Sequence, residues 1–155
     1  MKKLSEQGMR FFYTCKNIFD YFFTRQTFGA RILLIKDDRV LLVKHSYQPG
    51  WYTIGGGIEK GESPLVAIKR EIKEEVGVTL LNSPVIFSVY YSTFQQRDNY
   101  IVLYLSSDFL EEPSSSPEIA EKKWFSLNDL PADVTSVTKR RIDEYLRKRA
   151  IDDKW

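Results

Sequence analysis

Three glutamates stand close together in the sequence, at positions 71, 74 and 75. On a helix of about 100° per residue, Glu75 lies about 40° to one side of Glu71, and Glu74 lies about 60° to the other. Like charges at this spacing destabilise a helix by a few tenths of a kcal/mol per pair, and a divalent cation would reverse that effect. A set of oxygen ligands without histidine or thiolate is typical of Mg²⁺ or Mn²⁺. The spacing alone leaves two interpretations open, a metal site along one helix edge or an ordinary solvated edge.

The composition favours carboxylate chemistry. The chain has 155 residues, with 43% hydrophobic and 28% charged side chains, which fits one globular domain. His45 is the only histidine and Cys15 the only cysteine, so a zinc site or a Ser-His-Asp triad would depend on one imidazole. The chain can form no intramolecular disulfide, which favours the cytoplasm. A net charge of +2 is too small to indicate a broad nucleic-acid surface, and no stable nucleic-acid partner is expected.

The glutamates belong to a segment with clear helix boundaries. Ser63 is a good N-cap and Pro64 is tolerated at the first helical position, while Gly77 is a typical C-terminal stop. We therefore predict a helix from 64 to 76. An apolar stripe beside the glutamates would pack on a sheet, and it consists of Leu65, Ile68, Ile72 and Val76.

A glycine-rich segment precedes this helix. Glycines at 55–57 let the backbone approach a ligand or a metal without interference from Cβ atoms. Glu62 and Arg70 are spaced so that they can pair across the turn and hold the loop against the helix. Phosphate oxygens on Mg²⁺, with a water between the metal and a carboxylate, would suit hydrolysis of a phosphoanhydride.

The other elements define the fold class. Strands are predicted at 30–35, 40–43, 51–54, 85–94, 99–106 and 123–125, with an acidic loop at 108–117, a helical turn at 126–130 and a basic helix at about 135–150. Residues 36–39 read as a hairpin turn, and no strand is expected to continue through the three glycines. Strands on both sides of a central helix, followed by a final helix, predict an α+β domain in α-β-α layers with a mixed sheet.

The N-terminal region is rich in aromatic residues. Residues 8–24 have helical spacing of apolar residues, so we predict an amphipathic helical extension at 1–26 and the main domain at 27–155. This helix is expected to pack on the domain or on a second subunit, which makes it a candidate homodimer contact. Its apolar stretch is interrupted by Lys16 and Asp20 and is shorter than the roughly 20 residues of a membrane span, so no transmembrane segment is expected.

These residues resemble the signature of the Nudix (MutT-like) hydrolases. Gly56 is followed after five residues by Glu62, and after seven more by the sequence REIKEEVGV at 70–78, which fills every fixed position of that signature. A match of nine positions with fixed gaps is far more specific than a lone glycine motif. The resemblance implies Mg²⁺-dependent hydrolysis of a nucleoside diphosphate linked to another group, on an α-β-α fold.

The resemblance also implies roles for individual residues. The implied metal ligands are Glu71, Glu74, Glu75 and the Gly55 carbonyl, and the implied structural residues are Gly56, Glu62, Arg70 and Gly77. One of the three glutamates, or a loop carboxylate, would orient or deprotonate the attacking water. Glu118 is the first candidate for the loop carboxylate and Glu121 the second, and the alternative is that Glu118 is an ordinary surface glutamate.

Candidates for substrate contact are less specific. Arg31, Lys44 and Arg97 are candidates for binding phosphate, although solvated cations are the commoner case. Aromatic residues that could stack on a base, but that more often pack in a core or at its rim, are Tyr47, Trp51 and Phe94. His45 is interpreted as a surface histidine at a strand end rather than as a base.

The substrate itself stays open between a nucleoside triphosphate and a nucleotide sugar. Two other classes of function are also retained: a fold that senses a nucleotide without turnover, and an interaction protein that acts through the N-terminal helix. The intact set of carboxylates argues against a pure sensor.

Overall fold

The computed structural model describes residues 26–94 and 97–155 of the chain. In this part of the protein the strands are β1 (Gln26–Lys36), β2 (Arg39–His45), β3 (Ile54–Gly57), β4 (Val78–Leu80), β5 (Val85–Phe94), β6 (Arg97–Ser106), β7 (Phe109–Glu111) and β8 (Ile119–Ser126). The helices are α1 (Pro64–Val76), between β3 and β4, and α2 (Ser136–Tyr145), after β8.

Strand β1 is the centre of a mixed sheet with the order β5-β6-β1-β2-β8, and β3 also pairs with β1. The pairing of β1 with β6 is parallel, whereas β1 with β2, β1 with β3, β2 with β8 and β5 with β6 are antiparallel. Strands β4 and β7 form a separate two-stranded sheet. The predicted mixed sheet is confirmed.

Each helix covers one face of the large sheet, because residues along a strand alternate between its two faces. Ile68 and Ile72 of α1 share a buried cluster with Ile32 of β1. On the other face, Ile142 of α2 shares a second cluster with Leu33, the next residue of β1. The two clusters confirm the α-β-α sandwich.

The hairpin between β1 and β2 has the turn chemistry that its sequence predicts. Asp37 and Asp38 have φ values of 49° and 55°. Two successive residues with positive φ match the twist of the flanking strands in a tight hairpin, and aspartate tolerates this conformation better than most residues.

The prediction that no strand passes through the glycines was wrong. Strand β3 contains all three of them, and it pairs with β1 from Ile32↔Ile54 to Gly29↔Gly57. The predicted strand at 51–54 is reduced to two isolated bridges, at Trp51 and Tyr52. Propensity disfavours glycine in strands, but hydrogen bonding to a central strand outweighs that preference.

Four further elements differ from the predictions. Part of the predicted acidic loop forms β7, which pairs with β4, and β8 is longer than predicted because it pairs along most of β2. Residues 126–130 form a turn rather than a helical turn. Helix α2 stops at Tyr145, well before the end of the basic run.

The N-terminal aromatic helix and the homodimer contact assigned to it fall on residues outside the described part. Of the predicted extension at 1–26, only Gln26 is described, and it is the first residue of β1. Within residues 26–94 and 97–155, no helix is both long enough and apolar enough to cross a bilayer.

Candidate functional site

A cavity of about 560 Å³ brings together residues that are distant in the sequence. Glu71 and Glu75 of α1, Arg31 of β1 and Glu118 before β8 all line it, together with the glycines of β3. The glycines and the helix glutamates belong to one sequence motif, but only the folded chain shows that Arg31 and Glu118 share a cavity with them.

Capping interactions hold α1 at the edge of this cavity. The Ser63 hydroxyl accepts a hydrogen bond from the Val66 amide at 3.3 Å, as predicted for an N-cap. At the other end Gly77 is left-handed, with φ of 70°, and its amide donates to the carbonyls of Ile72 and Lys73. The predicted helix boundaries are confirmed, and they fix which residues face the cavity.

The predicted pairing of Glu62 with Arg70 is present and has two hydrogen bonds. Nε and Nη2 of Arg70 each donate to one carboxylate oxygen of Glu62, both at 2.9 Å. Nη2 also donates to the Gly57 carbonyl at 3.2 Å. The hydrogen bond from Arg70 is the main factor that lowers the pKa of Glu62, so this contact remains ionic at neutral pH and fastens the loop to the helix.

Glu75 is the most buried of the three helix glutamates, with 7% of its surface exposed. One of its oxygens accepts a hydrogen bond from the Gly55 amide at 3.0 Å. Burial nevertheless raises the pKa of Glu75 from 4.5 to about 7, although the Gly55 amide and the charge of Arg31 oppose the increase. A carboxylate under this desolvation penalty gains from a cationic partner.

Glu71 and Glu74 differ from Glu75 in their surroundings. The Glu71 carboxylate accepts a hydrogen bond from Nη1 of Arg70 at 2.9 Å. It also lies against Gly56, so that a Cβ atom at that position would overlap it. A side chain at position 56 would therefore require the Glu71 carboxylate to shift. Glu74 does not line the cavity: its side chain is 61% exposed, and its nearest partner is Arg70 at 3.4 Å.

The described carboxylates do not form a compact cluster. Among residues 26–94 and 97–155, no three acidic, histidine or cysteine side chains are arranged closely enough to hold a metal ion. The Glu71 carboxylate accepts a hydrogen bond from Arg70, and the Glu75 carboxylate accepts one from the Gly55 amide. The chemistry of the donors still suits a hard cation, since Glu71, Glu75 and Glu118 supply only oxygen to the cavity.

Arg31 supplies positive charge on the same cavity wall. Its Nη1 atom is buried and has no hydrogen-bond partner among residues 26–94 and 97–155. Burial lowers the pKa of Arg31, and the carboxylates of Glu75 and Glu71 partly offset that effect. A buried guanidinium nitrogen without a partner is rare in folded proteins, and an anionic ligand in the cavity would satisfy it.

The structure places the other two candidate phosphate-binding cations outside this cavity. Lys44 forms an ion pair with Asp133 at 2.9 Å and lines a neighbouring surface depression. Arg97 is exposed at the start of β6. Arg31 is therefore the only one of the three that shares a cavity with Glu75.

The aromatic candidates also separate. Trp51 is buried and packs edge-on against Phe125 at 4.7 Å, as expected for a core residue. Tyr47 is largely exposed and lines the cavity, where it stacks on His45 at 5.1 Å. The side chain of Phe94 lies outside the described atoms.

The interpretation of His45 as a surface residue was wrong. It is buried, lines the cavity and contacts the rings of Tyr47 and Tyr52. Burial and the charge of Arg31 lower the pKa of His45, despite opposition from Glu118, so the imidazole is neutral at pH 7. A single sequence does not show that the chain folds over the end of β2.

Hydrogen bonds to the backbone fix the position of Glu118. Its carbonyl accepts a hydrogen bond from the Ser46 amide at 2.8 Å, and the Ser46 hydroxyl donates to the Pro117 carbonyl at 3.1 Å. The side chain is exposed at the cavity rim. The candidate loop carboxylate is thus on the same cavity as Glu71 and Glu75.

One wall of the cavity consists of residues that no sequence motif marks. Thr135, Val137 and Thr138 approach from the start of α2, and Trp155 comes from beyond that helix. No spacing or motif links these positions to the glutamates, because they meet only after α2 has packed on the sheet.

The burial of Glu75 leads to a stability prediction. Its pKa is higher in the folded state than in the unfolded state, so the carboxyl destabilises the fold as pH rises from 4.5 through about 7. At about 1.4 kcal/mol per pKa unit, the penalty reaches up to about 3 kcal/mol at alkaline pH. We expect Glu75→Gln to raise the free energy of unfolding at pH 8.5 in EDTA and to have little effect at pH 4, as measured by urea denaturation.

The matched control is Glu111→Gln, which removes an exposed carboxylate from β7. It should leave the free energy of unfolding unchanged at both pH values. A metal-free Glu75→Gln protein that is less stable than the wild type at pH 8.5 would contradict the assigned burial penalty.

The fold and site define a class of protein. A family model, the NUDIX domain, matches residues 24–146. The chain therefore belongs to the NUDIX family, which confirms the family predicted from the motif.

Several proteins that are similar to this chain are named as hydrolases. The NAD-capped RNA hydrolase NudC of Pseudomonas aeruginosa is 32% identical over 77% of this chain, which spans only 44% of that protein. Diphosphoinositol polyphosphate phosphohydrolase 3-beta of Bos taurus is 31% identical over 73% of this chain and 70% of its own length. The crystal structure of MutT NUDIX hydrolase from Burkholderia pseudomallei has a TM-score of 0.68 and 26% identity over 76% of this chain and 96% of that one.

Proposed function

We propose that the protein hydrolyses a phosphoanhydride bond in a nucleoside diphosphate linked to a second group, with Mg²⁺ as cofactor and Mn²⁺ as a substitute. The observation that carries this proposal is the shared cavity, in which the acidic groups of Glu71 and Glu75 lie beside the buried guanidinium of Arg31. The carboxylates can bind a metal ion, and the guanidinium can bind a phosphate oxygen. Together they suit a metal-bound phosphoanhydride. The names of the relatives, which refer to NAD-capped RNA and diphosphoinositol polyphosphates, favour a phosphate-linked substrate.

Glu71, Glu74 and Glu75 would hold the metal, with the Gly55 carbonyl as a further ligand. When bound, Mg²⁺ would neutralise the anhydride oxygens and favour ionisation of a water molecule. The role of Glu74 requires its exposed side chain to turn toward the cavity. Gly56, Glu62, Arg70 and Gly77 support the site through the contacts described above.

The remaining residues of the cavity have distinct tasks. Nη1 of Arg31 donates to a phosphate oxygen and stabilises the negative charge that increases on it during attack. A carboxylate, from Glu118 at the rim or from a helix glutamate, accepts the proton of the attacking water. The new bond joins the water oxygen to phosphorus, and the bridging phosphorus–oxygen bond breaks, which leaves two phosphorylated products.

We place this reaction in the cytoplasm, because a chain with a single cysteine gains nothing from an oxidising compartment. The substrate partner is a small nucleotide derivative. Lys44 and Arg97 lie outside the cavity. Contact of either residue with the substrate stays a prediction.

The experiment that tests this function is a panel of phosphoanhydrides with Mg²⁺, Mn²⁺ or EDTA. Nucleotide sugars, dinucleotides and nucleoside triphosphates are incubated with the protein, and phosphate is measured after a phosphatase step. We expect metal-dependent release from at least one class and none in EDTA. Binding of these compounds without any turnover would instead support the nucleotide sensor.

A further inference from the structure

Residues 153–155 run alongside β5, the strand at one end of the described sheet. The Tyr91 amide donates to the Asp153 carbonyl at 2.7 Å, and the Trp155 amide donates to the Tyr91 carbonyl at 2.9 Å. The bridge between Tyr91 and Lys154 is parallel. Trp155 is thus attached to the sheet by backbone hydrogen bonds.

A buried ion pair on α2 holds the same segment from the other side. Arg141 is fully buried, and its Nη1 atom donates to the Lys154 carbonyl at 2.9 Å. Its Nη2 atom donates to Glu144 at 2.9 Å, and the Tyr90 hydroxyl donates to the second Glu144 oxygen at 2.8 Å. Desolvation offsets much of the attraction within a buried ion pair, so its main effect here is to fix the path of the segment.

These anchors set the position of the Trp155 indole. The ring meets Tyr90 at 5.4 Å with an interplanar angle of 61°, and the Arg141 guanidinium lies 5.5 Å from its centroid. Trp155 is only partly buried, and its remaining surface lines the cavity that contains Arg31 and Glu75. An aromatic ring has therefore been brought to the site from a distant part of the chain.

We propose that Trp155 is a specificity-determining residue that contacts the planar ring of a nucleoside diphosphate whose phosphates are bound near Arg31. This inference rests on the proposed function and adds the ring as a recognised feature of the substrate. An indole offers a broad π surface that stacks on any base. Two tyrosines also line the cavity, and both already contact the His45 ring: Tyr47 stacks on it at 5.1 Å, and Tyr52 meets it at 5.3 Å.

The test compares two probes that cannot be hydrolysed. α,β-Methylene-ADP and methylenediphosphonate carry the same bridged phosphorus atoms, but only the first has a nucleoside. Binding of each is measured by titration calorimetry with Mg²⁺ for the wild type, Trp155→Ala, Trp155→Phe and the control Trp124→Phe. Trp124 stacks on Phe109 at 6.0 Å and does not line the cavity.

We expect Trp155→Ala to weaken binding of α,β-methylene-ADP by about tenfold, which corresponds to about 1.4 kcal/mol. Binding of methylenediphosphonate should change by less than about twofold, because the phosphate end keeps its contacts. Trp155→Phe retains an aromatic face and should lose only about threefold, and Trp124→Phe should bind both probes like the wild type. Circular dichroism confirms that the variants fold.

Two results would overturn the inference while leaving the proposed function intact. One is unchanged binding of α,β-methylene-ADP by Trp155→Ala. The other is an equal loss for both probes, which would mean that the indole supports the cavity rather than the ring. If the wild type bound neither probe, the role of Trp155 would fail, whereas the proposed function would still be decided by the phosphoanhydride panel.

Discussion

Glu75→Gln should reduce kcat for Mg²⁺-dependent hydrolysis by at least about 10³-fold, at the upper end of what single acidic groups contribute in such sites. The substitution keeps the size of the side chain and an oxygen that can accept the Gly55 amide, so the helix and the glycine segment retain their contacts. What it removes is the negative charge that would bind the metal in the proposed site. Steady-state rates on the best substrate of the phosphoanhydride panel measure the effect.

The same substitution is expected to stabilise the metal-free protein at alkaline pH, so lost activity cannot be explained by unfolding. Glu74→Gln in the same series tests the implied third ligand, whose side chain is exposed. We expect it to abolish turnover as well. Glu111→Gln is the surface control and should be fully active. Unchanged activity in both Glu74→Gln and Glu75→Gln would refute the assignment of the metal site.

Arg31→Met should lower kcat/KM by about 10² to 10³, the loss typical of removing one charged donor from a developing anion. Methionine has a similar length and no charge, and the buried Nη1 atom that it removes has no partner in the described part of the chain. We therefore expect Arg31→Met to melt no lower than the wild type. Arg31→Lys, which keeps the charge but not the planar set of donors, should recover only part of the activity.

Lys44→Gln and Arg97→Gln provide matched charge removals outside the cavity. If Arg31 acts through contact with phosphate, the decrease in kcat/KM of Arg31→Met should exceed that of either control variant by at least about tenfold. A general effect of positive charge would instead lower kcat/KM similarly in all three variants. High salt separates the two cases further, because exposed cations are screened more strongly than a buried one. Equal, salt-sensitive losses would contradict the role of Arg31.

Local chemistry determined much of the fold. The boundaries of α1 follow from a capping serine, a proline and a terminal glycine, and all of these act within a few residues. The β1–β2 hairpin follows from two aspartates between apolar runs. The Glu62–Arg70 contact could be predicted for the same reason, since the turn leaves the two side chains close together.

Elements that depend on distant partners were predicted less well. Strand β3 runs through three glycines because β1 pairs with it, and β7 exists because β4 lies beside it. His45 is buried because residues from other elements surround it. In each case the deciding interaction is between residues far apart in the chain, where a single sequence carries no record of the contact.

The site shows the same division. The sequence by itself determined that Glu71, Glu74 and Glu75 share one side of a helix next to a glycine segment, because helical spacing and the motif are local properties. Only the tertiary structure decided that Glu75 is buried and that Glu74 is exposed. It also decided that Arg31, rather than Lys44 or Arg97, shares the cavity of Glu71 and Glu75. It alone brought Trp155 to that cavity, because burial and proximity depend on how the sheet and both helices pack.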